Sequence, residues 1–530
     1  MHWSDVVAQR LTERGSKHIV STGITPSGEF HIGHLREILT GDMISKAAKK
    51  AGLDVEFVFI VDSADPLRKV YSFLDDSYSQ YIGHQLKQIP PPDENGQPDM
   101  ERFGNGVSYA DHFLEPFKQA LEQIDVRPRF IDNYESYASG QFAETARIAC
   151  NNADKIREII ERVSSRELAD DWFPWNPIDA KGSIDGIRVT GWEDPIVSWV
   201  DSEGNPGTSD VTKGEGKLPW RIDWPAKWAW IGVTMEPFGK DHGAAGGSYD
   251  TGKEIVELFG IQAPLDLTYE WISLRGHGAM SSSSGNTIGP LEALSLVPPE
   301  ILRYLVASTK PNKAIEFDTG MGLVNLADEF ERTTARDFSI EIEKEDLSRR
   351  QKVAIEDAKT ALELSLIAPL EEATSVTFRH LAMLAQTKSR DEDVWASLGI
   401  QGTVPQTMRD RLQRMRTWVR SRHFPDDLRI TILEEPNLEA IEQLDDENIA
   451  ILPHLIASLR TCEWNAASIQ TTISSTAKGI ETSPRHAYRA LYLCIMGVER
   501  GPRLPSILGE LDQTSIINLL SACLEAKQES

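Results

Sequence analysis

The 530-residue sequence predicts an α/β domain that is interrupted by an inserted segment and followed by an all-α region. Three observations carry this reading. A strand–helix–strand pattern opens the chain: "KHIVSTG" (Lys17 to Gly23), then a helical repeat ending at Gly52, then the nearly continuous apolar run "VEFVFIVD" (Val55 to Asp62). This is the sequence form of a βαβ unit. Strand-like runs alternate with a helical one again only after residue 219, so the two halves of one domain are separated. From about Pro298 onward the patterns are helical, with no convincing βαβ unit.

Each element has a local reason. "MHWSDVVAQRLTERG" reads as a short amphipathic helix and lacks the apolar core of a signal peptide. "KHIVSTG" is β-branched and apolar, and the Pro/Ser/Gly turn "ITPSGEF" ends it. In "HIGHLREILTGDMISKAAKKAG", Ile32, Leu35, Ile38, Leu39, Met43, Ala47 and Ala48 fall at helical spacing. "VEFVFIVD" suits a parallel strand buried on both faces. The Pro-rich "QIPPPDENGQPD" (Gln88 to Asp99) is a surface loop, and "SWVDSEGNPGTSD" reads as strand–turn–strand inside a small β insertion. "WIGVTMEPFG" and "LDLTYEWISL" are read as strands of the second half, one on each side of a helix.

Composition bounds the function. The chain is long enough for about two to four domains. Its net charge of -26 argues against non-specific nucleic-acid binding by the chain as a whole. One local basic stretch stands out, Met408 to Phe424 with Arg409, Arg411, Arg414, Arg416, Arg420 and Arg422, read either as a solvated helix face or as a phosphate contact. Cys150, Cys462, Cys494 and Cys523 form neither a knuckle nor a disulfide pattern. A reducing, cytoplasmic setting fits, as does the absence of a cysteine-held zinc. No apolar run is long enough for a membrane helix.

The sharpest motif is "PSGEFHIGH" (Pro26 to His34), at the junction of a strand and a helix. Helix N-termini offer unpaired N–H groups and a positive dipole end, so phosphate binds there. His31 and His34 share the first turn, and Gly33 lets a flat ring approach the backbone. A nucleoside triphosphate whose phosphates pass over the two imidazoles fits this pattern. A metal pair completed by Asp62 or His242, as in a zinc hydrolase, is the weaker reading, because the Pro-Ser-Gly turn then has no role. "MEPFGKDHGAAGGSYDTG" (Met235 to Gly252) places Glu236, Asp241, His242 and several glycines after a strand, where open α/β sheets keep their ligand crevice. Trp220 and Trp224, with Asp223 between them, and Tyr269 on the next strand read either as a pocket for an organic cation or as core.

His31-Ile32-Gly33-His34 resembles the HIGH motif of class I aminoacyl-tRNA synthetases. More narrowly, "TGITPSGEFHIGHLREI", "ADPLRKV", "LPWRIDWPAKW", "EPFGKDH", "GGSYDTG", "ILRYLVASTKPNKAIEFD" and "ERGPRL" resemble the class I lysyl-tRNA synthetases, in order, from about Gly23 to Leu504. The resemblance implies a Rossmann catalytic domain in two halves (1–70 and 219–297), with an α+β connective insertion (71–218). A helical stem-contact region (298–370) and an α-helical anticodon-binding domain (371–530) would follow. It implies a monomeric lysine–tRNA ligase that uses ATP with Mg2+ and charges tRNA(Lys). By resemblance, Pro26, Ser27, Gly28, Glu29, Phe30, His31, Ile32, Gly33 and His34 form the first signature. Pro26, Gly28, His31, Gly33 and His34 from it contact ATP, with the two histidines as the catalytic pair. Gly23, Thr25, Trp220, His242 and Tyr269 line the lysine site. Asp223, Glu236 and Asp241 are the candidates to neutralise substrate amines, since an unpaired buried ammonium is costly.

Two departures from the family pattern matter. The insertion carries no cysteine knuckle, so no zinc is expected there, and one equivalent of zinc in purified protein would count against this. The second signature, usually written KMSKS, aligns with Ala279, Met280, Ser281, Ser282 and Ser283, whose lysine positions are empty. Met280 to Ser283 are still expected at the ATP, with Lys240, Arg275 or His277 supplying the lost charge. Two alternatives remain at this stage: a class I synthetase for glutamate or arginine, and a non-catalytic tRNA-binding paralogue.

Overall fold

The computed structural model describes residues 1–275, the backbone of 278–279, 287–368 and 376–529. The chain divides into two compact units. The first comprises 1–294, 299–317 and 336–367, and the second 295–298, 318–335 and 368–530. The region 298–370 is therefore shared between the units.

The core of the first unit is a five-stranded parallel sheet. Strand β1 (Lys17–Ile24) pairs along its whole length with β2 (Asp54–Val61), and β2 pairs with β3 (Arg129–Asp132). On the other side of β1 lie Met235–Gly239 and then Leu265–Tyr269. Helix α1 (Trp3–Thr12) packs against α2 (Ile32–Lys50), which crosses from β1 to β2. The helix rests tightly on the sheet at Gly41, where an added Cβ would lie 2.7 Å from the Phe57 ring and 2.8 Å from Thr22. The chain runs outward from β1 in both directions, so β1 marks the topological switch point. The crevice beyond its C-terminal end is where such sheets take ligands.

The two halves of the α/β domain are both present, with one addition. β3 lies within the stretch read as insertion, yet it is the sheet's edge strand. Its four residues are too short to show a strand period in the sequence. The strand–turn–strand reading of the insertion holds. Ile196–Val200 and Pro206–Asp210 pair antiparallel, and Arg188–Glu193 adds a third strand. The run "LDLTYEWISL" is two strands, not one. Leu265–Tyr269 belongs to the central sheet, while Ile272–Leu274 pairs with Ile315–Phe317 and Gly278–Ala279 in a separate small sheet. The break lies where Glu270 N–H donates to Pro311 O and Trp271 is 44 % exposed. "WIGVTMEPFG" likewise begins in a helix: Trp220–Ile231 ends on Gly232 in the left-handed region (φ 82), and the strand starts at Met235.

The second unit is helical among its described residues, with a core built from leucines and isoleucines of 441–523. The basic helix Gln406–Arg420 spends two of its arginines internally. Arg411 pairs with Glu331, and Arg416 with Asp391 at 2.9 Å. No described helix is long and apolar enough to cross a membrane.

Candidate active site

The site begins at the N-terminus of α2. His31 is its N-cap, and its Nδ1 accepts from Gly33 N–H at 3.1 Å. Reciprocally, His34 Nδ1 accepts from His31 N–H at 3.0 Å. The pair forms a capping box made of imidazoles, with ring centroids 3.9 Å apart. This assigns the tautomer, because a ring nitrogen that accepts an N–H carries no proton. Each neutral ring therefore carries its proton on Nε2. Burial lowers His31 to about 4 and His34 to about 3, and the neighbouring imidazole adds to the latter. Both rings are neutral Nε2–H donors near pH 7, beside a helix N-terminus, which suits phosphate oxygens. Phe30 holds His34 from one side, stacking in turn on Phe117 at 4.3 Å.

Beyond β1 opens a cavity of about 540 Å3. Gly23, Thr25, Ser27, Trp220, Glu236 and His242 line it together with His34. Trp220 and Trp224 lie at 5.5 Å between centroids, and His242 leans on both at 5.3 and 5.6 Å. Tyr269 stands behind the wall, where its hydroxyl donates to Glu37 at 3.0 Å. Asp223 and Asp241 do not line the cavity. Asp223 is fully buried, salt-bridged to Lys227 at 2.8 Å and hydrogen-bonded by Tyr137. Asp241 is exposed. Pro26, Gly28, Glu29, His31, Ile32 and Gly33 are in the turn and first helical turn beside the cavity, without lining it.

Among the described residues the acids at the cavity are unevenly paired. Asp62 pairs with Lys227, and Asp65 with Lys217 while also accepting from Thr25 Oγ1. Among the described residues neither Glu37 nor Glu236 forms an ion pair, although the charge of Lys227 reaches Glu236. Glu37 accepts from Gly23 N–H at 2.9 Å and from Tyr269, and Glu236 from the indoles of Trp224 and Trp228. Burial pushes Glu37 up to about 8, with the charges of Glu236 and Asp62 adding to the rise. Burial likewise pushes Glu236 up to about 7. Two buried carboxyls without an ion pair among the described residues, walled by indole rings, are chemically suited to an organic ammonium ion. Among the described lining residues, exposed Arg68 is the cation without an ion pair and can meet an anionic group.

Sequence reasoning missed Glu37, Arg68, Tyr71 and Lys227. Glu37 had a signal, since it lies one helical turn beyond His34 and so faces the same way. Arg68 and Tyr71 sit in an irregular stretch where no period assigns a face.

The comparisons bear on this geometry. The family model for class I (K) tRNA synthetases matches residues 1–360. The chain belongs to that family. Among class I (K) relatives, the lysine–tRNA ligase of Thermoplasma volcanium is 37 % identical over 99 % of both chains. That of Thermoplasma acidophilum is 38 % identical over 96 % of both. The lysine–tRNA ligase of Methanosarcina barkeri is 45 % identical over 63 % of this chain and 60 % of its own.

The region of the second class I signature is only partly described. Gly278–Ala279 pairs antiparallel with Ile272–Leu274, and Met280 to Ser283 lie outside the described residues, as does His277. Of the candidates for the missing charge, Lys240 is paired with Glu270 at 2.7 Å and lies over the Trp271 ring. Arg275 N–H donates to Phe317 O at 3.0 Å, which places its backbone at the start of that segment.

Proposed function

We infer that this chain is a lysine–tRNA ligase. Lysine and ATP would give lysyl-adenylate and pyrophosphate, and the lysyl group would pass to tRNA(Lys). The observation that carries the reading is the pair Glu37 and Glu236, two buried carboxyls without an ion pair among the described residues, in an indole-walled cavity next to the histidine cap. The names of the relatives agree with it. A glutamate side chain in this cavity would add a further carboxylate beside Glu37, Asp62, Asp65 and Glu236. The reading as a synthetase for glutamate is therefore disfavoured.

The chemistry follows from positions. The lysine carboxylate attacks the α-phosphorus in line, a new O–P bond forms, and the bond to the pyrophosphate oxygen breaks. No protein nucleophile takes part, so rate comes from orientation and from donors aimed at developing charge. Nε2–H of His31 and His34 and the N–H groups at the start of α2 supply those donors. Mg2+ is expected as the counter-ion that ATP brings on its phosphates. Trp220, Trp224 and His242 orient the aliphatic stem, and Glu37 and Glu236 hold the ammonium. In the second half-reaction a ribose hydroxyl of the terminal adenosine attacks the acyl carbon, and AMP leaves.

Lysine-dependent ATP–pyrophosphate exchange with tRNA(Lys) present tests this. Exchange with lysine and not with glutamate or arginine is the expected result. Exchange with another amino acid, or with none, overturns it. Loss of exchange in Arg275→Ala or Lys240→Ala would identify which cation serves the lysine-free second signature. Full activity in both would remove both candidates.

A further inference from the structure

One acid of the cavity lining is tied to the insertion. Asp65, just after β2, accepts from Thr25 with one carboxylate oxygen and pairs with Lys217 of the insertion through the other. We propose that Asp65 and Lys217 are positioning residues that take up the hydroxyl proton of Thr25. Its oxygen is thereby presented to the cavity as an acceptor for the α-ammonium group of the substrate. The proposal rests on the reading of this cavity as an amino-acid site.

The direction of one hydrogen bond decides the chemistry. Asp65 is buried, and burial alone would raise its carboxyl. The charges of Lys217 and Lys227 outweigh burial and hold it below the usual range, so it is a carboxylate near pH 7. A carboxylate accepts and cannot donate. The proton in the 2.7 Å contact between Thr25 Oγ1 and Asp65 Oδ2 therefore comes from Thr25. A hydroxyl whose proton is committed still has acceptor capacity. Thr25 is half-buried and lines the cavity, so the partner it suits there is a donor, best a cationic one.

The insertion fixes the other end of this relay. Gly216–Lys217 pairs antiparallel with Asn176–Pro177, and the next N–H, of Leu218, donates to the Tyr137 hydroxyl at 3.1 Å. Tyr137 in turn donates to Asp223, which Lys227 also holds. Lys217 is thus buried in a frame that no ligand has to build. The assignment to the α-ammonium follows from position. Lysine carries two ammonium groups, and leaving either unpaired in a buried site is costly. Glu37 and Glu236 suit one of them. Gly23 N–H donates to Glu37, and Thr25 lies two residues nearer the histidine cap, a step of about 6–7 Å on an extended chain. That step is close to the span of the aliphatic stem. The second ammonium group is bonded to the carbon that bears the reacting carboxylate, so it belongs on the side of the cap.

The test is calorimetric binding of L-lysine and of 6-aminohexanoate to the full chain, beside pyrophosphate exchange. 6-Aminohexanoate keeps the carboxylate and the terminal ammonium and has no α-ammonium. Thr25→Val removes the acceptor and should weaken L-lysine about ten- to a hundredfold, the range for a hydrogen bond to a charged group. Thr25→Ser keeps the hydroxyl and should recover most of that loss. Asp65→Asn inverts the contact. Lys217 claims the amide oxygen, the amide nitrogen donates to Thr25, and the hydroxyl proton is turned toward the substrate. L-Lysine should weaken by a similar factor, and no further when Thr25→Val is also present, because Asp65 acts through Thr25. 6-Aminohexanoate should bind these variants as it binds the wild type, which a general collapse of the site would not allow. If Asp65→Asn does not fold by circular dichroism, Asp65→Ala/Lys217→Met, which removes the acceptor and the orphaned charge together, carries the comparison. Wild-type lysine affinity in Thr25→Val or Asp65→Asn, losses that add in the double variant, equal weakening of both ligands, or no amino-acid binding at all would each overturn the proposal. A chain that binds lysine without exchange refutes the ligase reading alone, and the binding series still decides. If the wild type binds and activates another amino acid, the lysine reading fails, and the same variants measured with that amino acid decide the proposal, since its α-ammonium is the same.

Discussion

At the scale of single residues, Glu37 is the most consequential side chain in the cavity. Glu37→Gln keeps the shape and one acceptor oxygen for Gly23 N–H, turns the Tyr269 contact into a bond donated by the amide, and removes the charge, so the lysine KM should rise about a hundredfold or more, an effect worth roughly 3 kcal/mol for a charged hydrogen bond. Steady-state kinetics with varied lysine checks it. The raised carboxyl also sets a pH dependence. Glu37 is protonated below about 8 in the free protein, and only the carboxylate attracts an ammonium ion. The lysine KM should therefore fall as pH rises from 6 to 8 and then level off. Stability runs the other way. Between the ordinary carboxyl value of 4.5 and about 8 the folded state binds more protons at this site than the unfolded one, so its contribution is lost as pH rises through that window. Bound lysine should offset the loss, and melting curves with and without lysine would show the two trends. Glu37 was readable from its position one turn after His34. The mutual neutralisation of Asp223, Lys217 and Lys227 was not, because these residues meet only in three dimensions.

At the scale of elements, the start of α2 combines a structural cap with a chemical role, and one pair of variants separates them. His31→Ala should lose about 1 kcal/mol of stability, the usual cost of an N-cap. His31→Asn should keep most of that stability, since Asn caps well, yet it lacks Nε2–H at the right place. Its exchange rate should fall about 10²–10³-fold, as for the loss of one donor to developing charge. Thermal melts and pyrophosphate exchange on both variants give the answer, and equal activity in His31→Asn and wild type would remove the catalytic role. Acid should weaken the cap. The rings stay neutral in the fold down to about 4 and 3, whereas unfolded histidine titrates near 6.5, so stability is lost as pH falls below 6.5. The packing of α2 on the sheet depends on Gly41. Gly41→Ala places a methyl against Phe57 and Thr22 and should destabilise by about 1–3 kcal/mol. Helix and strand periods made α2, β1 and β2 legible. β3 and the break at Glu270 were hidden, since short strands carry no period and neighbouring apolar residues can serve different sheets.

At the scale of the whole molecule, buried charge joins the insertion to the catalytic sheet. Lys217 and Asp65 are 152 residues apart and pair in the interior beside Thr25. Lys217→Met should cost about 3–5 kcal/mol because it leaves Asp65 unpaired. The double variant with Asp65→Asn should cost less than the two single losses combined, a coupling that denaturant titration of the four proteins would measure. The insertion therefore neutralises an acid of the cavity lining from behind, and Tyr71 alone of its described residues reaches the cavity itself. The partition into units follows contacts, and helix 321–334 joins the C-terminal unit although its sequence neighbours belong to the first.

The sequence by itself determined the split α/β architecture, the helical C-terminal region, the histidine-capped helix start and part of the cavity lining, such as His34, Trp220, Glu236 and His242. These rest on local signals: apolar periods, turn residues and a motif placed where a strand meets a helix. The tertiary structure alone decided which acids are free for a substrate. Asp223, Glu236 and Asp241 looked equivalent as residues after or beside a strand, and only their partners distinguish them. Asp223 is buried against lysines, Asp241 is exposed to solvent, and Glu236 lines the cavity with Glu37. A carboxylate's role depends on which charges reach within a few ångströms of it, and that is settled by how distant segments fold together.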